Sequence, residues 1–212
     1  MDTIFGFFIE GGFWMYPILT VCAIGIAIGI ERFIKLSVIE RQNRKVWEEL
    51  HPIMVEGDFD QAREMTAADN SAVSQLLEVG LERQGTVRRR EDIEIAMEEG
   101  MMEIIPQLEK RTPYIALFAN LSTLLGLLGT IIGLIAAFNA VANANPAEKA
   151  DLLSASISVA MNTTAFGLIS AIPLLIIHTY LNSKTGAIVD SLEMISVKTL
   201  NIITGKSKRG GN

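Results

Sequence analysis

Residues 112–147 read TPYIALFANLSTLLGLLGTIIGLIAAFNAVANANPA, 36 residues without one Asp, Glu, Lys or Arg. A hydrocarbon core of about 30 Å is crossed by roughly 20 helical residues, because each residue advances the helix by about 1.5 Å. A charged side chain in that layer is costly, so long charge-free stretches mark the segments that enter it. The same emptiness recurs over residues 11–30 and 152–183, which are 20 and 32 residues long. The reading is an all-α integral membrane protein with three transmembrane helices. The second and third exceed the bilayer and are expected to extend into a helical cytoplasmic domain.

Composition supports this class. Half of the 212 residues are hydrophobic, while the net charge of −6 is the wrong sign for nucleic acid, whose binding rests on phosphate neutralisation. Two basic clusters break the acidic trend, Arg88-Arg89-Arg90 and Lys206-Ser207-Lys208-Arg209. The first runs straight into Glu91 and Asp92 and reads as a solvated loop opening a helix. The second is placed to meet anionic lipid headgroups. The lone cysteine, Cys22, rules out an intrachain disulfide and lies inside the first span. The N-terminus has no Lys or Arg before its apolar run and does not read as a cleaved signal peptide.

Lys and Arg placement predicts orientation. Residues 1–30 have none, 31–111 have twelve, the connection 142–151 has only Lys149, and the segment from Lys184 onward has five. Basic residues are retained on the cytoplasmic side. The expected order is therefore a short interfacial helix over 1–10 outside, transmembrane helix 1 over 11–31, a cytoplasmic helical domain over 32–111, transmembrane helix 2 over 112–142, an external hairpin over 143–151, transmembrane helix 3 over 152–183, and a cytoplasmic C-terminal helix with a basic tail over 184–212. Phe13, Trp14 and Tyr16 suit the outer headgroup level. Within the cytoplasmic part, His51-Pro52 is expected to break the first long helix. Asp58 reads as a cap for a short helix to Met65, and Ser71 to Gln84 as another helix with Val73, Leu76, Leu77 and Leu81 on one face. From Glu91 an apolar stripe points to a helix running towards the second span, with Pro106 and Pro113 as kinks.

Polar residues concentrate in spans two and three. Span two has Thr123, Gly126, Gly129, Thr130 and Gly133; Gly129 and Gly133 form a GxxxG pair suited to close helix packing. Span three has Asn162, Thr163, Thr164, Gly167 and Pro173. The face of Thr164 also carries Ile157, Ala160, Met161, Leu168 and Ala171, so a pore lined by it would be narrow and dry with one hydroxyl girdle. The plainer alternative is that these threonines back-bond to their own helix or glue helices together. His178 is the only ionisable side chain with strong acid–base character in these spans and lies near the end of span three. No metal-ligand spacing, nucleophile motif, dinucleotide fingerprint or phosphate loop occurs, so catalytic residues, cofactors and an enzyme are not expected.

Leu124-Leu125-Gly126-Leu127-Leu128-Gly129-Thr130-Ile131-Ile132-Gly133 resembles the second-span signature of the MotA/TolQ/ExbB proton-channel family. Ala160-Met161-Asn162-Thr163-Thr164-Ala165-Phe166-Gly167-Leu168-Ile169-Ser170-Ala171-Ile172-Pro173 resembles its third-span signature. Three spans and one mid-sized loop are similar to the ExbB and TolQ branch. The resemblance implies a bacterial inner-membrane protein, N-terminus periplasmic and C-terminus cytoplasmic. It further implies a homopentamer around two transmembrane helices of an ExbD- or TolR-like single-span partner with an intramembrane Asp, working on a TonB- or TolA-like envelope protein. Thr130 and Thr164 would line the ion pathway beside that Asp. Thr123, Thr163 and Asn162 would be secondary pathway or packing residues, and Gly126, Gly129, Gly133, Gly167 and Pro173 packing residues. A threonine hydroxyl both donates and accepts, so it is expected to serve either protonation state of the Asp. One departure stands out. ExbB- and TolQ-type members commonly have glutamate five residues before the third-span threonine, where this chain has Val159.

Overall fold

The computed structural model describes residues 12–84 and 90–209. They form six helices: α1 Met15–Glu56, α2 Phe59–Ala67, α3 Ala72–Arg83, α4 Arg90–Glu109, α5 Thr112–Asn143 and α6 Lys149–Arg209. No strand occurs among the described residues. Three helical stretches are long and apolar enough to cross a membrane: α1, the stretch ending in α5, and α6. The chain is an all-α integral membrane protein. The helix expected over residues 1–10 lies outside the described residues. So do residues 85–89, just ahead of α4 at Arg90.

Two boundaries differ from expectation. His51-Pro52 does not break α1, which continues to Glu56 with Pro52 inside it. Proline removes one backbone donor and crowds the preceding turn, at about 3 kcal/mol. Leu50 and Met54 on either side are fully buried, and each such side chain contributes roughly 1.5–3 kcal/mol. Their burial offsets the proline. The second difference lies before span two. Helix α4 contains Pro106 and ends at Glu109, and Arg111 adopts φ 69° before α5 starts. Pro113 therefore sits in the first turn of α5, where its missing N–H costs nothing, rather than at a kink.

The contacts divide the chain into two units: residues 1–32 with 111–181, and residues 33–110 with 182–212. In the first, the approach of small residues sets the register. A β-carbon added at Gly133 would meet Ala160, one at Gly129 would strike the Thr163 methyl, and one at Gly126 would lie 3.2 Å from the Gly167 Cα. Numbers rise along one helix as they fall along the other, so α5 and α6 are antiparallel here. Gly25 meets Leu174 and Gly29 meets Ile177, and the Cys22 Sγ lies 3.9 Å from the Ser170 carbonyl oxygen. Those numbers rise together, so α1 and α6 run parallel, giving three helices of alternating direction. The outer faces are apolar: Leu117, Leu124, Ile131 and Phe138 form an exposed seven-residue repeat on α5. At one end Arg111 donates to both carboxylate oxygens of Glu31 at 2.9 Å. This ion pair ties the residue before α5 to the end of the apolar run of α1.

In the second unit, α6 presents a buried stripe of Thr185, Ile188, Leu192, Ile195, Thr199 and Ile203 at three- and four-residue spacing. Lys184 pairs with Glu40 at 2.9 Å, accepts no bond itself but donates to the Ser37 hydroxyl at 3.0 Å, and lies 5.4 Å from the Phe33 ring centroid. Helix α3 is held at both ends by side chains from other helices. The buried Asn43 Oδ1 accepts from the Val73 N–H, while Arg63 donates to the carbonyls of Leu81 and Gln84. These side chains satisfy backbone groups that a helix end leaves unpaired.

Candidate ion pathway between helices α5 and α6

Close approach of α5 and α6 follows from the missing side chains at Gly126 and Gly167. The Cα of each would lie 3.1–3.2 Å from a β-carbon built on the other. Backbone this near lets a side chain of one helix reach a carbonyl of the other. Thr164 on α6 does so, donating its hydroxyl to the Gly126 carbonyl on α5 at 3.0 Å.

The remaining threonines bond within their own helices. Thr123 donates to the Ala119 carbonyl at 3.3 Å and Thr163 to Val159 at 3.0 Å, both to the residue four positions back. Thr130 instead donates three positions back, to Leu127 at 2.6 Å. Thr163 is buried, with its methyl group against Gly129; Thr123 is exposed; Thr130 and Thr164 are half-buried and keep open surface. Asn162 is half-buried, and Pro173 lies on the exposed side of α6. The tight residues are thus Gly126, Gly129, Gly167 and, against Ala160, Gly133.

The face assigned to Thr164 by helical periodicity is not uniform. Ala160 and Ala171 are buried in the interface with neighbouring helices, whereas Met161 and Leu168 are 66% and 46% exposed. Thr164 stands on the border between them. Val159, five residues before Thr164, is also exposed. The group that sequence reading missed is the Gly126 carbonyl. The available signal was the spacing: Gly126 lies four residues before Thr130 and is where a back-bonding Thr130 hydroxyl would go. Among the described residues no cluster of three or more His, Cys, Asp or Glu is placed to hold a metal ion.

The description of the MotA/TolQ/ExbB proton channel family matches residues 68–194, more than half of the chain and both half-buried threonines. The chain belongs to the MotA/TolQ/ExbB proton channel family. Within this MotA/TolQ/ExbB chain the match runs from the turn before α3 into the second half of α6. A biopolymer transport protein ExbB homolog of Methanothermobacter thermautotrophicus is 27% identical over 93% of the chain and 69% of its own length. The Tol-Pal system protein TolQ of Haemophilus influenzae is 36% identical over 44% of the chain and 40% of its own length. The biopolymer transport protein exbB1 of Vibrio cholerae is 44% identical over 28% of the chain and 26% of its own length. This member of the MotA/TolQ/ExbB family is a multi-pass membrane protein.

Proposed function

We propose that this chain is the channel-forming subunit of an ExbB- or TolQ-type motor in an inner membrane, coupling the proton motive force to mechanical work on an envelope-spanning partner. Thr130 and Thr164 carry the ion pathway. The observation that supports this most is that Thr164 reaches across to the Gly126 carbonyl of α5, one turn from Thr130 on that helix, within apolar stretches that carry no Asp, Glu, Lys or Arg. Neither α5 nor the apolar part of α6 supplies a carboxylate. The titrating group therefore comes from another chain, an ExbD- or TolR-like single-span helix with an intramembrane Asp. Five copies around two such helices, acting on a TonB- or TolA-like protein, is the assembly the family reading favours. Sodium is the alternative driving ion, and Tol-type constriction or gliding the alternative outputs.

A second reading, a non-conducting oligomeric scaffold, draws support from the same hydrogen bonds. The hydroxyls of Thr123, Thr130, Thr163 and Thr164 all have backbone acceptors within the chain. One experiment separates the two. Proteoliposomes are loaded with the protein, with and without its co-purifying single-span partner, and tested under separate proton and sodium gradients. The motor reading expects partner-dependent flux of one ion, falling at least tenfold in a Thr130→Val, Thr164→Val double variant of unchanged oligomer size. Full flux in that variant sinks the pathway. Absence of flux together with a less stable oligomer favours the scaffold.

A further inference from the structure

In the second unit, helices α4 and α6 enclose a groove of about 360 Å³. Its apolar lining includes Met102, Ile105 and Val197, and its acidic lining is Glu94, Glu98 and Glu193; no Lys or Arg lines it. Met102 is 72% exposed and Val197 56%. Apolar side chains gathered at a surface and ringed by one sign of charge suit a helix face of the opposite sign.

This chain carries such a face. Ile34, Val38, Arg41 and Lys45 are exposed on α1 at steps of four, three and four residues, so they form one stripe. The stripe lies opposite the buried Leu36, Asn43 and Leu50. Lys45 has Glu49 at 3.8 Å on its own helix, an exposed pair that contributes little. Stripe and groove belong to different sides of the unit. Asn43 and Trp47 of α1 meet α6 along Ile188, Ser191 and Ile195, whereas α4 meets it along Glu193, Ser196 and Leu200. One copy therefore cannot fold its own stripe into its own groove, but a neighbouring copy can present one to it.

Copies arranged in one bilayer share its plane, so a residue meets residues of its neighbour at its own level along the helices. The contacts of α6 give those levels. Lys184 donates to Ser37, and α1 runs parallel to α6; Ser196 donates to Met97 and Arg90 to Asn201, so α4 runs antiparallel. Carried onto α6 at these offsets, Lys45 falls level with Leu192 and Glu98 with Ile195, roughly 4 Å apart along the axis. Val38 falls level with Thr185 and Ile105 with Ala187, roughly 3 Å apart. Apolar thus meets apolar and basic meets acidic without any shift between the copies.

We infer that the α4–α6 groove of one copy receives the Val38, Arg41 and Lys45 stripe of α1 from the next copy, in a head-to-tail contact. The apolar pairs are buried by it, and the charges set its register and direction. Such a contact uses two different surfaces on each copy and generates a ring when the rotation closes. The inference rests on the proposed function only in requiring several copies of the chain in one complex.

The test uses the full-length protein in native membranes, in a Cys22→Ser background carrying Val38→Cys and Ile105→Cys together. Oxidation is expected to give a ladder of linked copies extending beyond dimers on a non-reducing gel, because each copy gives one half of the contact and receives the other. Val38→Cys alone should give no dimer. Lys45→Glu or Glu98→Lys, added singly, should lower the ladder yield about tenfold as like charges come face to face, and the two together should restore it. A ladder indifferent to the reversals, or dimers from Val38→Cys alone, overturns the inference. In the complex with the single-span partner, a benzophenone attached at Met102→Cys should capture a second copy of this chain. Capture of the partner instead assigns the groove to that protein's basic end and overturns the inference. Absence of a ladder in a protein that light scattering finds oligomeric does the same and leaves the motor reading standing. A protein that is monomeric in that measurement overturns both.

Discussion

At the scale of single residues, two glycines of the same long helix experience opposite surroundings. A β-carbon on Gly167 would stand 2.7 Å from the Ser122 carbonyl oxygen and 3.1 Å from the Gly126 Cα, both backbone atoms that move only if the helices part. A β-carbon on Gly186 would meet nothing within 4 Å. Gly167→Ala is therefore expected to destabilise by roughly 1–3 kcal/mol, the range for forcing a methyl group into a filled interface. Gly186→Ala should stabilise by about 0.5–1 kcal/mol through helix propensity alone. Thermal unfolding of the detergent-solubilised protein, followed by loss of its monodisperse chromatographic peak, compares the two; an unchanged midpoint for Gly167→Ala contradicts the packing account. Glycine spacing made Gly129 and Gly133 visible in the sequence. The closest backbone approach, Gly126 to Gly167, joins residues 41 apart and depends on a register that no local pattern specifies.

Among the elements, the turn between α2 and α3 has a titratable lock. Asp69 accepts from the Ser71 N–H at 3.0 Å and the Ser74 hydroxyl at 2.6 Å, while Ser71 caps α3 by accepting from the Ser74 N–H. Burial works to raise the Asp69 carboxyl, but the hydrogen bonds from Ser71 and Ser74 outweigh it and hold the group below its ordinary value. A depressed folded pKa means the stabilisation is complete above the unfolded value near pH 4 and is lost as pH falls through the lower folded one. Amide exchange of α3 should accordingly quicken below about pH 4 in the wild type, and an Asp69→Asn variant should exchange fast at every pH. A variant matching the wild type at neutral pH would refute the lock. Asp58 and Ser71 were legible as caps because capping is local. The holds of Asn43 and Arg63 on α3 were not, since each crosses from another helix.

For the whole molecule, helix direction and membrane orientation are separate matters. Parallel α1 and α6 with antiparallel α5 give alternating spans, while the side on which each end lies is a proposal from the Lys and Arg distribution. In a Cys22→Ser background, a cysteine at position 145 should react with an impermeant maleimide added outside intact spheroplasts. Cysteines at positions 60 and 190 should react only after lysis. The reverse pattern inverts the proposed topology and with it the direction of ion entry. In a cell supplying the partner, Thr164→Val should abolish the driven output while leaving these accessibilities unchanged.

The sequence by itself determined the class, the three membrane crossings and the family, because desolvating charge in a bilayer is costly enough to be written as long charge-free stretches. It also singled out Thr130 and Thr164 as candidates for the ion pathway, since few polar residues remain in those stretches. Tertiary structure alone decided which carbonyl each threonine reaches: Gly126 and Gly167 bring two helices to backbone distance, so Thr164 bonds across to Gly126 while Thr130 bonds within its own helix to Leu127, and a contact between residues so far apart in the chain has no local signature.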